Sequence, residues 1–599
     1  MRWRLGTSPS NRPVAWHLTA TVVVLTALSW SSRAAAQLVF DPSNGFVAQS
    51  LYQPPPALGT VQPAPALGTT EAFPPFTANA LGFAGAPASY VGLGAAPGAG
   101  AIGGANPPAA LPPSRLTIEN PLLPPIVPGA VPIQAGNETA PAWLVTPSIE
   151  VLTGYDDNPR LTPSHAPDSV SELIPGLIVS ADTPHLQGVL TSSFEYLKYA
   201  RATDVDMITA TGSAYGLATI APDHLYIDGR GSIFQVSPTG NVGFANPTLG
   251  TAVAPETLLT TSVTPVWRES FGDLVATDLR YNYSSVSPVA SLSSTSSSTL
   301  AAAEQNQGAL TVAFGKGGGT LSSRLVLSAA DVNSQSLAAS TETRAITELQ
   351  YRFNPEVAVI ARGGYENLRF GNASLAFVGP IATLGTRLDL TPTSAINVRY
   401  GREDGFWGLN GSASQALTPR TVLLLSYQHS LGSEQGQIIS NLNASALDPY
   451  GNIIDVETAL PLSFANPELA LSQTGVYRIQ QATAAVEHEF ETDSLRLYGF
   501  YLKQSALSAG TFSTLSRGAE IAWFRTMTPR LRGALSLGYA SETGAQLLSV
   551  GLSVNLNLRE NLDAVLSYQF TDSMTSSASA VGAPAYTRNF LLAGIRASF

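Results

Sequence analysis

Residues 547–558 read LLSVGLSVNLNL, and from Leu548 onward every second residue is apolar: Leu548, Val550, Leu552, Val554, Leu556 and Leu558. The residues between them are Ser549, Gly551, Ser553, Asn555 and Asn557. Successive side chains of a strand point to opposite faces, so this period of two describes a β-strand with one apolar and one polar face. The pattern recurs. Leu562, Ala564, Leu566, Tyr568 and Phe570 alternate with Asp563, Val565, Ser567 and Gln569, and Leu384, Leu388 and Leu390 with Gly385, Arg387 and Asp389. Arginine and aspartate keep falling on the polar face.

Which face lies inside decides the fold. A secreted sandwich hides the apolar face, whereas a membrane barrel turns it to lipid and keeps a polar interior. Three features favour the barrel. Arg2, Arg4 and Arg12 precede the apolar run 18–30, and Ala34-Ala35-Ala36 follows it, the layout of a secretory signal peptide cleaved after residue 36. No later run is long enough for a transmembrane helix, so membrane residence requires strands. The chain also closes on RNFLLAGIRASF, with Leu591, Ile595 and the terminal Phe599 on one face. That ending looks like the C-terminal strand signal read by barrel-assembly machinery.

Composition narrows the function. Charged residues make up only 12% of the 599, the net charge is −11, and there is no cysteine. A basic surface for phosphate backbones is missing, so no nucleic-acid partner is expected. Disulfides and thiolate metal sites are excluded. Residues 37–141 are dominated by Pro, Ala and Gly, where neither a helix nor a sheet ladder persists, and are expected to form a disordered periplasmic segment. A TonB-dependent transporter would need a folded plug there, and the strand and helix patterns of one are missing.

From residue 142 to 599 strands recur between turns. Short breaks fall at Thr183-Pro184-His185, Ala221-Pro222-Asp223, Gly272-Asp273, Gly317-Gly318, Asn354-Pro355-Glu356, Thr391-Pro392-Thr393, Thr418-Pro419-Arg420, Asp493-Ser494, Thr528-Pro529-Arg530 and Glu560-Asn561. Longer polar connections at 156–170, 238–256, 286–305 and 435–475 lie between them. Ten turns imply an all-β, antiparallel, up-and-down transmembrane barrel of about twenty-two strands, or eighteen to twenty if a weak segment such as 405–416 is no strand. Short turns belong in the periplasm and long loops outside.

A family resemblance follows from particular motifs. Thr146-Pro147-Ser148, Gly154-Tyr155-Asp156-Asp157-Asn158-Pro159 and Ser171-Glu172-Leu173-Ile174-Pro175-Gly176 resemble the opening strands of β-barrel porins associated with exopolysaccharide and PEP-CTERM/exosortase loci. Phe377-Val378-Gly379-Pro380 and the stretch Arg399 to Gly405 (RYGREDG) are similar to the middle of that group. The resemblance spans about 142–599. It implies an outer-membrane barrel tied to envelope polysaccharide and its periplasmic export components, with no residue-level activity to transfer.

Chemical motifs are few. Phe314-Gly315-Lys316-Gly317-Gly318-Gly319-Thr320 lacks phosphate-loop spacing and reads as a hairpin turn. Asp156-Asp157-Asn158 lacks EF-hand spacing and reads as a solvated loop, with calcium coordination the alternative. His429 and His488 are the best-placed residues for a barrel-embedded hydrolase, but no catalytic motif accompanies them. The chain therefore reads as non-enzymatic, with no cofactor and no metal expected. Asp278, Arg280, Arg324, Glu348, Arg352, Arg387, Asp389, Arg399, Arg532 and Arg596 are predicted to point inward as candidate pore-lining residues, either pairing to knit the wall or setting solute preference. The expected function is a channel for exopolysaccharide export or assembly, with a general solute porin or an envelope scaffold as alternatives.

Overall fold

A computed structural model describes residues 143–599, apart from stretches of the connections between strands, and two short segments near the N-terminus. Residues 1–36 lie outside the described residues. So does nearly all of 37–141, but Val39–Asp41 pairs antiparallel with Gly45–Val47. The sequence between those strands is Pro42-Ser43-Asn44, residue types that favour turns, in a segment where no strand was expected.

Twenty-two antiparallel strands close into one barrel. They are β1 Trp143–Asp156, β2 Asp168–Asp182, β3 Leu186–Tyr199, β4 Met207–Ala221, β5 Leu225–Val236, β6 Glu256–Phe271, β7 Val275–Val289 and β8 Ala303–Phe314. There follow β9 Leu321–Ser334, β10 Ser340–Asn354, β11 Val357–Arg369, β12 Ala376–Thr391, β13 Ser394–Glu403, β14 Phe406–Thr418 and β15 Thr421–Gly432. The circuit ends with β16 Tyr477–Glu489, β17 Asp493–Ala506, β18 Thr514–Thr528, β19 Leu531–Glu542, β20 Ala545–Arg559, β21 Leu562–Thr575 and β22 Tyr586–Ser598. Each strand pairs with its sequence neighbours, and β22 returns to β1. The weak segment 405–416 is a full strand, β14. With 10 to 16 residues, every strand is long enough to cross a bilayer core, which takes ~9–11 tilted residues.

The strands that flank the ten short breaks meet at one rim, and those that flank 237–255, 290–302 and 433–476 meet at the other. Short and long connections do not alternate strictly, however. Asp404-Gly405 makes a two-residue turn on the loop rim, and Glu542 at the end of β19 pairs there with Ala545 at the start of β20. Asp404 (φ 57°) and Gly405 (φ 77°) both take positive φ, the demand of a type I′ hairpin that Asp-Gly meets most easily.

The outer wall is apolar. In β20, Leu552, Leu556 and Leu558 are exposed, while Ser549 and Ser553 on the other face are buried. Exposed Trp267, Phe271, Phe314, Phe353, Trp523 and Phe599 ring the turn rim, and Tyr155, Tyr365, Tyr400, Trp407 and Tyr539 ring the upper half. Two aromatic girdles around an apolar band mark a lipid-facing surface of the bacterial outer membrane. Lipid pairs no backbone group, which is why the strand circuit closes.

Leu552 and Ser553 test the assignment of faces. Leu552→Arg is expected to lower unfolding stability by ~2–4 kcal/mol, as for a charge near the lipid midplane, and Ser553→Arg by clearly less. Urea titrations in lipid vesicles that give equal losses would reverse the assignment.

Candidate functional site

The inner wall holds the paired charges of the spanning strands, and all ten sequence-predicted residues sit on it. In β6 and β7, Arg268 Nε donates to Asp278 Oδ2 at 3.0 Å, and Arg280 Nη2 donates to the same oxygen at 3.1 Å. Arg324 of β9 meets Glu348 of β10 at 3.0 Å, and Arg362 of β11 reaches Glu348 from the other side at 3.4 Å. These three are successive register partners, so the charges form a rung across three strands. Arg387 pairs with Asp389 at 3.0 Å on β12 and Arg596 with Glu150 at 3.0 Å across β22 and β1. Arg399 meets Glu403 at 3.3 Å, and Arg362 spans β12 to the same carboxylate at 3.4 Å. Arg352 and Arg532 are half-buried on this face.

Sequence reading missed several partners. Asp228 and Arg230 of β5 pair at 2.7 Å with both side chains fully buried. The signal was present, because Asp-x-Arg puts acid and base on one strand face, in 228–230 as in 278–280. Harder to see was the loop-rim cluster. The Glu366 carboxylate of β11 accepts the backbone N–H groups of Asp404 (3.0 Å) and Gly405 (2.8 Å), bending the β13–β14 turn inward. Arg344 Nη2 donates to Asp404 Oδ1 at 2.7 Å. Burial pushes the Asp404 carboxyl up to about 7, against the pull of Arg344. A Cβ at position 405 would lie 2.5 Å from Phe377 Cδ1, so glycine is required for packing as well as for φ.

The motif Asp156-Asp157-Asn158 is neither a solvated loop nor a cation cage. Asp156 and Asn158 are buried at the seam where β22 meets β1. Asp156 accepts Arg588 Nε at 3.1 Å and the Tyr199 hydroxyl at 2.7 Å. Asp157 accepts the Asn589 N–H and its side-chain amide, each at 2.7 Å, and Asn158 Nδ2 donates to the Thr587 carbonyl at 2.9 Å. Beneath them Leu152, Val170, Ile174, Leu197, Phe590 and Leu592 form an apolar cluster inside the barrel. The carboxylates are spent on closing the wall. Among the described residues, no group of three or more histidines or carboxylates is placed to hold a metal.

The two histidines are wall residues. Arg478 Nε donates to His429 Nε2 at 2.6 Å, and Arg478 also lies over the Phe406 ring. His488 Nδ1 lies 2.7 Å from the Thr421 hydroxyl at the turn rim, edge-on to Phe490. The two stand at opposite rims, in separate contacts. The glycine-rich stretch 315–319 lies outside the described residues.

No family model and no curated protein matches the chain. Solved structures similar to it include the siderophore receptor PirA from Acinetobacter baumannii, at 9% identity and a TM-score of 0.42 over 76% of this chain and 80% of that one. The FrpB iron transporter from Neisseria meningitidis (F5-1 variant) is similar at 8% identity and 0.41 over 76% and 82%. The ferripyoverdine receptor of the Pseudomonas aeruginosa outer membrane is similar at 10% identity and 0.40 over 76% and 72%. At this depth no activity follows from the likeness.

The seam yields a stability prediction. Arg588→Ala leaves the buried Asp156 uncompensated and is expected to cost ~3–5 kcal/mol. The exposed turn-rim Arg530→Ala should cost under ~0.5 kcal/mol. Urea unfolding followed by loss of the compact electrophoretic form measures both, and equal losses would show that the seam is not held by Arg588.

Proposed function

We propose that the chain is a non-enzymatic outer-membrane channel serving exopolysaccharide export or assembly. The observation that carries the channel reading is the closed 22-strand circuit with a polar inner wall. Side chains fill a barrel of about eight strands, and circumferences of this order enclose a lumen. Its charges are largely matched in pairs, so the wall presents hydroxyl and amide groups with little net field. The half-buried Asn397, Asn410, Ser412 and Gln428 belong to this surface. Such groups suit the hydrogen-bonding of sugar hydroxyls. The polysaccharide assignment itself is supported by the resemblance of the motifs at 146–176 and 377–405. In this reading the turn rim faces the periplasm and the export components, and the C-terminal strand ending at Phe599 is handed to the barrel-assembly machinery.

Two measurements test it. Purified protein in planar bilayers is expected to conduct, with Arg387→Glu shifting selectivity toward cations, because a lumen charge sets ion preference. Bilayers that stay closed even after deletion of residues 434–475 would overturn the channel. A strain lacking the protein should lose surface polysaccharide, and unchanged polymer with impaired uptake of small solutes would leave a solute porin instead.

A further inference from the structure

Between β14 and β15 the ladder stops short of the loop rim. Its register pairs run from Thr418 with Thr421 up to Gly411 with Tyr427. Both strands continue beyond that point. Residues 406–410 stay paired with β13, as far as Phe406 with Glu403, and residues 428–432 with β16, as far as Gly432 with Tyr477. The two strands therefore part from each other while both remain in the wall.

Side chains show how they lie. Leu425 of β15 and Trp407 and Leu409 of β14 are exposed on the lipid side, and Ser426 is buried on the inner side, bonded to Thr483. Period-two alternation then puts His429 on the outward face of β15, and Phe406, Gly408 and Asn410 on the inward face of β14. Yet these residues meet. The His429 N–H donates to Asn410 Oδ1 at 2.7 Å, the His429 and Phe406 ring centroids are 5.9 Å apart, and a Cβ on Gly408 would strike His429 Nδ1. The outward face of β15 overlaps the inward face of β14, so the wall is closed here by an edge-over-edge seam in place of a ladder.

Arg478 of β16 lies across this seam. Its Nε donates to His429 Nε2 at 2.6 Å, so the imidazole accepts there and is neutral, and its guanidinium covers the Phe406 ring at 4.8 Å. Arg324 and Arg596 each have a carboxylate partner. Among the described residues Arg478 has none, and its Nη donors are uncommitted. A half-buried cation with open donors calls for an anion. Outside the seam Tyr400 and Trp407 lie 5.8 Å apart in the upper aromatic girdle, the level at which lipid head groups begin. At that level polar heads can reach the backbone edges that the ladder leaves open, as lipid tails cannot.

We propose that the β14–β15 seam is a binding site for the phosphate head of an outer-leaflet lipid, with the Arg478 guanidinium as its anion-binding group and the lipid chains lying along Trp407, Leu409 and Leu425. The inference goes beyond the channel reading and does not rest on it.

Trp407 reports on the site from outside. In phosphatidylcholine vesicles, the part of the fluorescence that Trp407→Phe removes is expected to be quenched more strongly by brominated phosphatidic acid than by the same fraction of brominated phosphatidylcholine. Arg478→Gln should weaken phosphatidic acid binding at least about tenfold, the worth of one hydrogen bond to a charged group. Arg517→Gln, on the exposed face of β18, should leave it unchanged. Equal quenching by the two lipids, or equal losses in the two variants, overturns the site. Excess inorganic phosphate is expected to leave the quenching intact, and its loss would assign the seam to a soluble anion and overturn the lipid. Should Arg478→Gln fail to fold, hydrogen exchange in the unaltered protein carries the test. Amides of 406–410 that point toward β15 should exchange roughly tenfold faster than those of 411–416 in plain phosphatidylcholine, and slow when phosphatidic acid is added. Exchange as slow as in 411–416 overturns the seam, and no response to phosphatidic acid overturns the site.

Discussion

The structure depends on one demand of the backbone: every N–H and C=O that faces lipid must find another strand. An open sheet leaves two edges unpaired, so the last strand has to find the first. Here β22 meets β1 over nine register pairs, from Phe590 with Asp156 to Ser598 with Ser148. Side chains reinforce that short ladder. Gly154 and Gly594 face each other's strand so closely that a Cβ on either would strike a backbone carbonyl, of Leu591 and Val151 respectively. The polar clasp of Asp156, Asp157 and Asn158 with Arg588 and Asn589 then finishes one end, and Arg596 with Glu150 lies toward the other.

The same demand sorts the chain's few charges. With the outer wall given to lipid, arginines and carboxylates on the spanning strands belong inside, where burial makes an unpaired charge costly. Pairing in register serves two ends at once, because a rung such as Arg324, Glu348 and Arg362 neutralises its members and ties β9, β10 and β11 together. A strand slipped by one residue would turn these charges to lipid. The charges therefore oppose the wrong register as well as supporting the right one.

What was legible in the sequence was local. Period-two alternation placed Leu552 outside and Ser553 inside, and the turn residues gave all ten breaks of one rim, because both signals need only neighbouring residues. The ten inward charges followed from the same alternation. The Asp404-Gly405 turn was written as plainly as the others, but the expectation of long loops on that rim obscured it. By contrast, Asp156 is separated from Arg588 by 432 positions, and nothing near Asp156-Asp157-Asn158 announces that its oxygens are committed to the far end of the chain. The docking of Leu442 on Arg230, 212 positions apart, is equally invisible.

A distinction within the charge pairs bears on how wall and passage divide the work. Arg324 with Glu348 and Arg596 with Glu150 join neighbouring strands, so removing one member loosens the wall. Arg230 with Asp228 and Arg387 with Asp389 are two residues apart on a single strand, as period-two geometry allows. In these pairs the carboxylate fixes and neutralises the guanidinium without spending it on a strand junction. A guanidinium carries five N–H donors, more than one carboxylate can accept. Arg230 shows how such a guanidinium can serve two partners at once, with one edge on Asp228 and another on a loop carbonyl.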